Sequence, residues 1–308
     1  MCGLLDRKYA RASSYQEIPA CGIPYTCFIV SCTVGGVAMN PNKALWEKGD
    51  FTQIAATMRD SGEELVQDLG VTSGMEVLDL GCGDGTTAVP TAKLGANVLG
   101  VDIAGNLVAA GNARAAQAGL ANLRFQEGDA SDLSDIADGR FDLVVTMFGA
   151  MFAPRPFDVA REMVRVTKSG GRIAMGNWIP GDPTLVAQIL KISAAYAAPP
   201  PEGFVSPVTW GVQTNVQERF GAAGVAPNQI ACERANYVFR YPGPPAEFLD
   251  AFRLYYGPTM NAFAAAANEG RSDELRNELV KLFEAQNQGG PNKTVIPATF
   301  LKVIVHKP

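Results

Sequence analysis

Histidine is almost missing from this 308-residue chain, because the single copy, His306, lies two residues before the C-terminus. Histidine is the side chain best suited to act as a general base near neutral pH. A reaction that needs a histidine base inside a pocket is therefore disfavoured. Aspartate or tyrosine could take that part, and conceivable groups are Tyr25, Asp182, Tyr255 and Tyr256. The sequence singles out none of them, so we assign no catalytic residue.

Basic segments are also missing. The formal net charge is −5, and no stretch of lysine and arginine interleaved with aromatic residues occurs. Such a stretch is what binds the phosphate backbone of a nucleic acid. A nucleic-acid partner is therefore not expected.

Long uninterrupted apolar runs are scarce as well. The charge-free segment 18–42 is interrupted by prolines and glycines, and its strongly apolar part is short for a membrane span. Membrane association is therefore not expected.

The six cysteines form no recognisable framework. They are Cys2, Cys21, Cys27, Cys32, Cys82 and Cys232. The spacing of the second, third and fourth matches no common zinc pattern, so no metal site is expected. A disulfide framework is not expected either, and a reducing cytoplasm is the predicted location.

A glycine-rich segment stands out against these absences, because residues 75–85 read MEVLDLGCGDG. Residues 77–80 predict a short apolar strand, and residues 86–94 predict a helix. The glycines between them permit a sharp turn that points bare backbone N–H groups, without partners in the protein, at a ligand above the strand end.

The spacing and charge of this loop do not fit a dinucleotide. A dinucleotide loop reads G-x-G-x-x-G, whereas Gly81, Gly83 and Gly85 give G-x-G-x-G. Asp79 precedes the loop and Asp84 lies within it. Two carboxylates would repel a pyrophosphate and would suit a ligand that carries positive charge.

The segment LDLGCGDG resembles motif I of the class I S-adenosylmethionine (SAM)-dependent methyltransferases. The resemblance implies that Asp79 and the backbone around Gly81 face the methionine end of the cofactor. It places Cys82 and Gly83 in the same binding loop. The alternative is a structural glycine turn in another kind of α/β protein.

A second acidic position follows at the end of the next predicted strand. Residues 98–101 read VLGV, and Asp102 comes 17 residues after Gly85. An ionised carboxylate there can accept hydrogen bonds from both hydroxyls of a ribose. Taken alone, Asp102 could instead be the N-cap of a helix that starts near Ala104.

The same resemblance implies contacts further along the chain. Ile103 packs on the adenine, Asp129 accepts from its exocyclic amine, and the Ala130 N–H donates to a ring nitrogen. The backbone near Met147, at the end of the fourth predicted strand, contacts the methionine amino group. For Asp129 the alternative is an acidic turn.

Two aromatic residues before motif I complete the predicted SAM site. Trp46 and Phe51 lie in a region that folds over the cofactor in the family, so they are candidates for a lid. Core packing is the alternative for both. Phe152 stands where relatives often carry a histidine.

The alternation of predicted strands and helices gives an α/β fold with a doubly wound, Rossmann-like sheet. We expect seven mostly parallel strands, of which the last runs antiparallel. The fourth is predicted at residues 141–147, a turn at 168–171 precedes the fifth, and a long strand is predicted at 230–241. Two segments, at about 180–210 and 242–292, exceed the minimal fold and are predicted to form a helical cap.

The methyltransferase domain is predicted to cover residues 39–308. Residues 1–38 are then an N-terminal extension of doubtful structure, and Met39 could be the true start, since MNPNKALWEKGDF is a natural beginning for such a domain.

The resemblance implies methyl transfer from SAM to a small, partly apolar acceptor. Residues 146–149 read TMFG, so the proline-proline-aromatic motif of enzymes that methylate DNA bases or glutamine is absent there. The acceptor atom and the oligomeric state are not predicted. Two alternatives stay open: a SAM-binding protein without catalysis, and a nicotinamide-dependent oxidoreductase.

Overall fold

Seven strands form the sheet at the centre of the protein. The computed structural model describes residues 42–197, 199–200 and 202–308. The strands are β1 (Glu76–Leu80), β2 (Asn97–Asp102), β3 (Leu123–Glu127), β4 (Phe141–Met147), β5 (Thr167–Trp178), β6 (Ile230–Tyr241) and β7 (Thr294–His306). Their order in the sheet is β3-β2-β1-β4-β5-β7-β6.

Strand directions confirm the predicted fold class. β1 runs parallel to both β2 and β4, and β3 and β5 continue the parallel pairing outwards. β7 runs antiparallel to its two neighbours, β5 and β6. The chain winds away from β1 in both directions, and the crevice at such a switch point is where open α/β sheets bind ligands.

Helices cover both faces of the sheet. The α-helices of the described residues are α1 (Lys43–Trp46), α2 (Thr52–Ala56), α3 (Arg59–Asp68), α4 (Ala88–Lys93), α5 (Gly105–Gln117), α6 (Pro156–Val166), α7 (Leu185–Ala194), α8 (Gln213–Ala222), α9 (Pro245–Tyr255), α10 (Gly257–Asn268) and α11 (Ser272–Gln286). Side chains alternate across a strand. Val77 of β1 therefore packs in one apolar cluster with Leu65 of α3 and Val89 of α4, whereas Leu78 packs in the other with Met163 of α6.

One local prediction is wrong. Residues 168–171 were expected to form a turn before the fifth strand, but β5 already begins at Thr167. The pairing with β4 moves from Thr167–Phe141 to Arg172–Leu143, so these four residues stand opposite Asp142 alone. Gly170 has a φ of +77° within this irregular stretch, a conformation that glycine adopts without strain.

Several predictions fall on residues 1–41, outside the described part of the chain. They concern the N-terminal extension, the Met39 start and the cysteines at 21, 27 and 32. Helix α7 and helices α9 to α11 lie within the two segments predicted to form a cap, and the cap itself stays a prediction. Across the described residues, every helix is too short or too polar to cross a lipid bilayer.

A close backbone contact joins the loop after β1 to the turn after β4. A Cβ on Gly81 would lie 2.6 Å from the Cα of Gly149, and a Cβ on Gly149 would collide with the carbonyl oxygen of Gly81. Gly81 also has a φ of +67°. Glycine at both positions lets the two strand ends meet.

Replacing Gly149 by alanine should destabilise the protein by about 2 kcal/mol or more, because the added methyl group has only backbone to push against. Urea unfolding followed by circular dichroism measures this. The matched control is Gly221→Ala on the exposed surface of α8, where an added Cβ has nothing within 4 Å. That control should be neutral or gain up to about 1 kcal/mol from helix propensity. Similar stabilities of the two variants would contradict the contact.

Candidate functional site

A cleft opens above the carboxyl ends of β1, β2 and β4. Nine of the ten residues predicted to bind the cofactor line it, namely Trp46, Asp79, Gly81, Cys82, Gly83, Asp102, Ile103, Ala130 and Met147. Parallel strands that end at one edge of a sheet bring together residues that are distant in the chain. The tenth residue, Asp129, does not line the cleft.

Asp129 forms a local turn. Its Oδ1 accepts hydrogen bonds from the Ser131 N–H at 2.8 Å and from the Ser131 hydroxyl at 2.6 Å. This is an Asx-type turn, and it matches the acidic turn given above as the alternative. Gly128 and Ala130, on either side, do line the cleft. A contact from Asp129 to adenine stays a prediction.

The glycine loop uses its N–H groups within the protein. Gly81 and Cys82 both donate to the carbonyl oxygen of Val101, at 2.7 and 3.1 Å. Gly83 donates to Oδ2 of Asp102 at 2.8 Å. The expectation of bare N–H groups is therefore wrong for these three residues. A pyrophosphate would need such groups to be free.

Asp84 is not a free negative charge. Arg59 forms an ion pair with its carboxylate, and Arg114 lies 3.6 Å from the same oxygen. Arg114 also donates to the main-chain oxygen of Asp84 at 2.5 Å. Of the two carboxylates predicted to suit a positively charged ligand, Asp84 is therefore already compensated within the protein. The second carboxylate of the cleft without a cationic partner among the described residues is Asp102.

Asp102 ends β2 and organises the loops on both sides. Its Oδ2 holds the Gly83 N–H, and its Oδ1 accepts from the Ala104 N–H at 2.9 Å. Ala104 occupies the N-cap position of α5, so Asp102 is not the N-cap itself. Each carboxylate oxygen has two lone pairs, so both keep capacity to accept from a ligand in the cleft.

Asp79 is almost fully enclosed, with 2% of its surface exposed. Its Oδ2 has no hydrogen-bond partner among the described residues. A buried carboxylate oxygen without a partner is costly, and a cationic or N–H-bearing ligand group would satisfy it.

Aromatic side chains form the opposite half of the cleft. Phe148 stacks on Trp178, with ring centroids 3.7 Å apart and planes 5° from parallel. Tyr237 meets Phe148 edge-on at 5.1 Å, and Phe239 of the same strand also lines the cleft. Tyr237 and Phe239 were not predicted as site residues, although their alternation in the predicted strand 230–241 already placed both on one face.

Trp46 and Phe51 both line the cleft and pack against the main apolar cluster. Their rings meet edge-on at 5.5 Å, and Trp46 also contacts the Phe152 ring at 4.7 Å. The two roles considered for this pair, a lid on the cleft and packing in the core, are therefore compatible. Polar contacts fix the same segment at the rim, since Lys43 pairs with Glu127 and Glu47 accepts the Gly105 N–H at 3.1 Å.

Three of the four conceivable bases lie in the described part of the chain, and of these only Tyr256 lines the cleft. Burial raises its pKa, so the hydroxyl keeps its proton near neutral pH. The Asp182 carboxylate is bound by Thr184 and paired with Arg234, away from the cleft. Tyr255 does not line the cleft, and Tyr25 lies outside the described residues.

Comparison with known proteins identifies the family. A family model described as "Methyltransferase domain" matches residues 78–175, from β1 to β5. The chain is 33% identical over 228 residues to the uncharacterized protein Rv1403c of Mycobacterium tuberculosis, covering 74% of this chain and 81% of that protein. It is 28% identical over 242 residues to the nocamycin O-methyltransferase of Saccharothrix syringae, covering 74% and 84%. The YcgJ protein of Bacillus subtilis shares the fold, with a TM-score of 0.52 at 22% identity over 81% of this chain and 99% of that one.

The chain belongs to the class I SAM-dependent methyltransferase family. The thiols of Cys82 and Cys232 are free, and burial is the main reason that the pKa of each is raised. The described residues contain no group of three or more His, Cys, Asp and Glu side chains arranged to hold a metal ion.

Burial also raises the pKa of two carboxyl groups of the cleft. For Asp79 the value is about 8; the charge of Asp102 contributes to the rise, and the Ala88 N–H opposes it. Burial is also the main reason that the pKa of Asp102 is raised, whereas hydrogen bonds from the N–H groups of Ala104 and Gly83 lower it. Without ligand, Asp79 therefore binds its proton more tightly in the folded than in the unfolded chain.

This linkage predicts a pH-dependent effect of Asp79→Asn on stability. A carboxyl group whose pKa is raised by folding costs stability as pH rises from its unfolded pKa, about 4, to its folded pKa. Without ligand, the free energy of unfolding of the variant should therefore rise relative to that of the wild type between pH 5 and pH 8, by about 1 kcal/mol or more. Urea unfolding at several pH values measures the difference. Asp158→Asn, at a surface ion pair, is the control, and a flat difference for Asp79→Asn would show that Asp79 is not protonated in the folded state.

Proposed function

We propose that this protein transfers a methyl group from SAM to a small-molecule acceptor and releases S-adenosylhomocysteine. The observation that carries the proposal is the placement of Asp79 and Asp102 in one cleft, at the ends of β1 and β2, with the glycine loop between them. Family membership and the small-molecule methyltransferase among its relatives support the same reaction.

The cleft fits SAM at both of its ends. Asp102 would accept the ribose hydroxyls with its remaining lone pairs, and Ile103 and Ala130 would flank the adenine. The unpartnered Oδ2 of Asp79 would bind the methionine ammonium group, with the backbone near Met147. The ammonium charge would favour the ionised carboxylate and so offset the effect of burial on its pKa. When bound, SAM supplies a methyl group on a positively charged sulfur, which is already a good leaving group.

The protein's own part in the reaction is to position the acceptor and exclude water. Trp46 and Phe51, which precede β1 in the chain, line the cleft. Val186 of α7 and Phe252 of α9 reach it from the two inserted segments. We infer that these helices form the predicted cap, and we assign no general base.

The glycine loop separates this proposal from a nicotinamide-dependent reaction. A pyrophosphate needs free backbone donors, and the N–H groups of Gly81, Cys82 and Gly83 are already bound within the protein. Binding of SAM without catalysis is the remaining alternative, and turnover on a panel of phenols, amines and quinols decides it. A cytoplasmic location stays a prediction from cysteine usage.

Asp102→Asn should weaken S-adenosylhomocysteine binding at least tenfold, because one acceptor oxygen becomes a donor that cannot receive a ribose hydroxyl. Titration calorimetry measures the affinity, with Asp158→Asn as the control that should bind like the wild type. Unchanged affinity in Asp102→Asn would refute the ribose assignment. Binding of NAD in place of S-adenosylhomocysteine by the wild type would refute the proposed function.

A further inference from the structure

The two halves of the cleft meet at the turn that follows β4. The contact between Gly81 and Gly149 puts Phe148 directly beside the glycine loop. Phe148 has a φ of +62°, and within the described residues it is the one non-glycine residue with a positive φ. Such a conformation is uncommon for a bulky residue and persists only where the surroundings impose it.

Hydrogen bonds hold this turn on both sides of Phe148. The Phe148 N–H donates to the Gly176 carbonyl oxygen at 2.9 Å, and the Ala150 N–H donates to the Thr146 hydroxyl at 3.0 Å. The turn therefore delivers the Phe148 ring into the cleft at a fixed place. Left-handed backbone at a non-glycine residue is frequent in binding sites, where it orients one side chain.

Neighbouring rings fix the orientation of the Phe148 side chain. Trp178 stacks on it, and Tyr237 and Phe300 meet it edge-on at 5.1 and 5.4 Å. Phe148, Trp178 and Tyr237 also line the cleft. They form a rigid aromatic wall where the cofactor half ends and the other half begins. Aromatic pairs favour offset or edge-on geometry, so a flat aromatic ligand can add one more ring to this set.

The charges of the cleft select against an anionic partner for this wall. Its charged side chains, among the described residues, are all acidic: Asp79, Asp84 and Asp102. Asp84 is compensated by Arg59 and Arg114. The ammonium group of bound SAM would compensate Asp79, which leaves Asp102 as the acid of the cleft without a positive partner. A carboxylate or phosphate ester entering this space would find no lysine or arginine side chain among the described residues of the lining to pair with. The sulfonium of bound SAM would repel a cationic acceptor in turn.

We propose that the methyl acceptor is an uncharged aromatic compound, held against the wall formed by Phe148, Trp178 and Tyr237. The inference rests on the proposed methyl transfer and deepens it. Phe148 and Trp178 act as specificity-determining residues that orient the plane of the acceptor. They do not exchange a proton with it.

Two probes with the same ring system test the charge selection. 2-Naphthol is neutral at pH 7, and 2-naphthoate carries one negative charge. Each is titrated by calorimetry into the full-length protein saturated with S-adenosylhomocysteine. We expect 2-naphthol to bind at least tenfold more tightly than 2-naphthoate. Equal binding of the two, or tighter binding of 2-naphthoate, overturns the proposal.

Variants test the aromatic wall with the same titration. Phe148→Leu and Trp178→Leu keep an apolar side chain but lose the flat face, and each should weaken 2-naphthol at least tenfold. Trp178→Phe keeps a ring and should stay within about threefold of the wild type. Phe157→Leu replaces an exposed ring on α6 that does not line the cleft, and should change nothing. Wild-type 2-naphthol affinity in both leucine variants overturns the proposal.

Binding of S-adenosylhomocysteine distinguishes failure of the proposed acceptor class from failure of the proposed function. Every variant should bind it within about twofold of the wild type, which also reports that the fold is intact. If the wild-type protein does not bind it, the methyl-transfer proposal fails and this inference fails with it. If it binds and 2-naphthol does not, only the acceptor class is refuted.

Discussion

The cleft depends on two acids, Asp79 and Asp102, which are buried side by side. Neither has a cationic partner in the part of the chain that the structure describes. Burial raises the pKa of both, and the negative charge of one disfavours ionisation of the other. The arginines nearest the loop, Arg59 and Arg114, bind Asp84 instead. The compensation that Asp79 lacks within the described residues can therefore come from a positively charged ligand. Binding of such a ligand should therefore stabilise the folded protein, because it offsets the cost of burying these acids.

The backbone around these acids is held by its own hydrogen bonds and by a contact that only glycine allows. Gly83 is fixed by Asp102, and the Gly81 carbonyl lies against Gly149. The contact couples the loop after β1 to the turn after β4. As a result, the left-handed Phe148 and the acid pair keep a fixed relation to one another. The cofactor half and the aromatic half are therefore parts of one rigid unit at the edge of the sheet.

The sequence predicted the parts of the site that are local in the chain. The strand-loop-helix segment at 75–94 and the acid at the next strand end are read from spacing and composition, and β4 and β6 have the predicted bounds. The pairing of Asp84 could not be predicted, because Arg59 and Arg114 reach it from separate helices 25 and 30 residues away. The acceptors of the loop N–H groups could not be predicted either, because they are Val101 and Asp102 of the neighbouring strand. The irregularity at 168–171 appears only once β5 is paired with β4.

The aromatic half shows a deeper limit, because the strand order and not the sequence order assembles it. β7 inserts between β5 and β6 and runs antiparallel to both, so the last two strands in space are reversed relative to the chain. This arrangement brings Tyr237 and Phe239 to the rim shared with Trp178. Apart from the lining residues that precede motif I, the cofactor half comes from residues 79–147. The aromatic half comes mainly from residues 148–256. Substitutions in the later part of the chain can therefore reshape the aromatic wall while Asp79, Asp102 and the glycine loop stay unchanged.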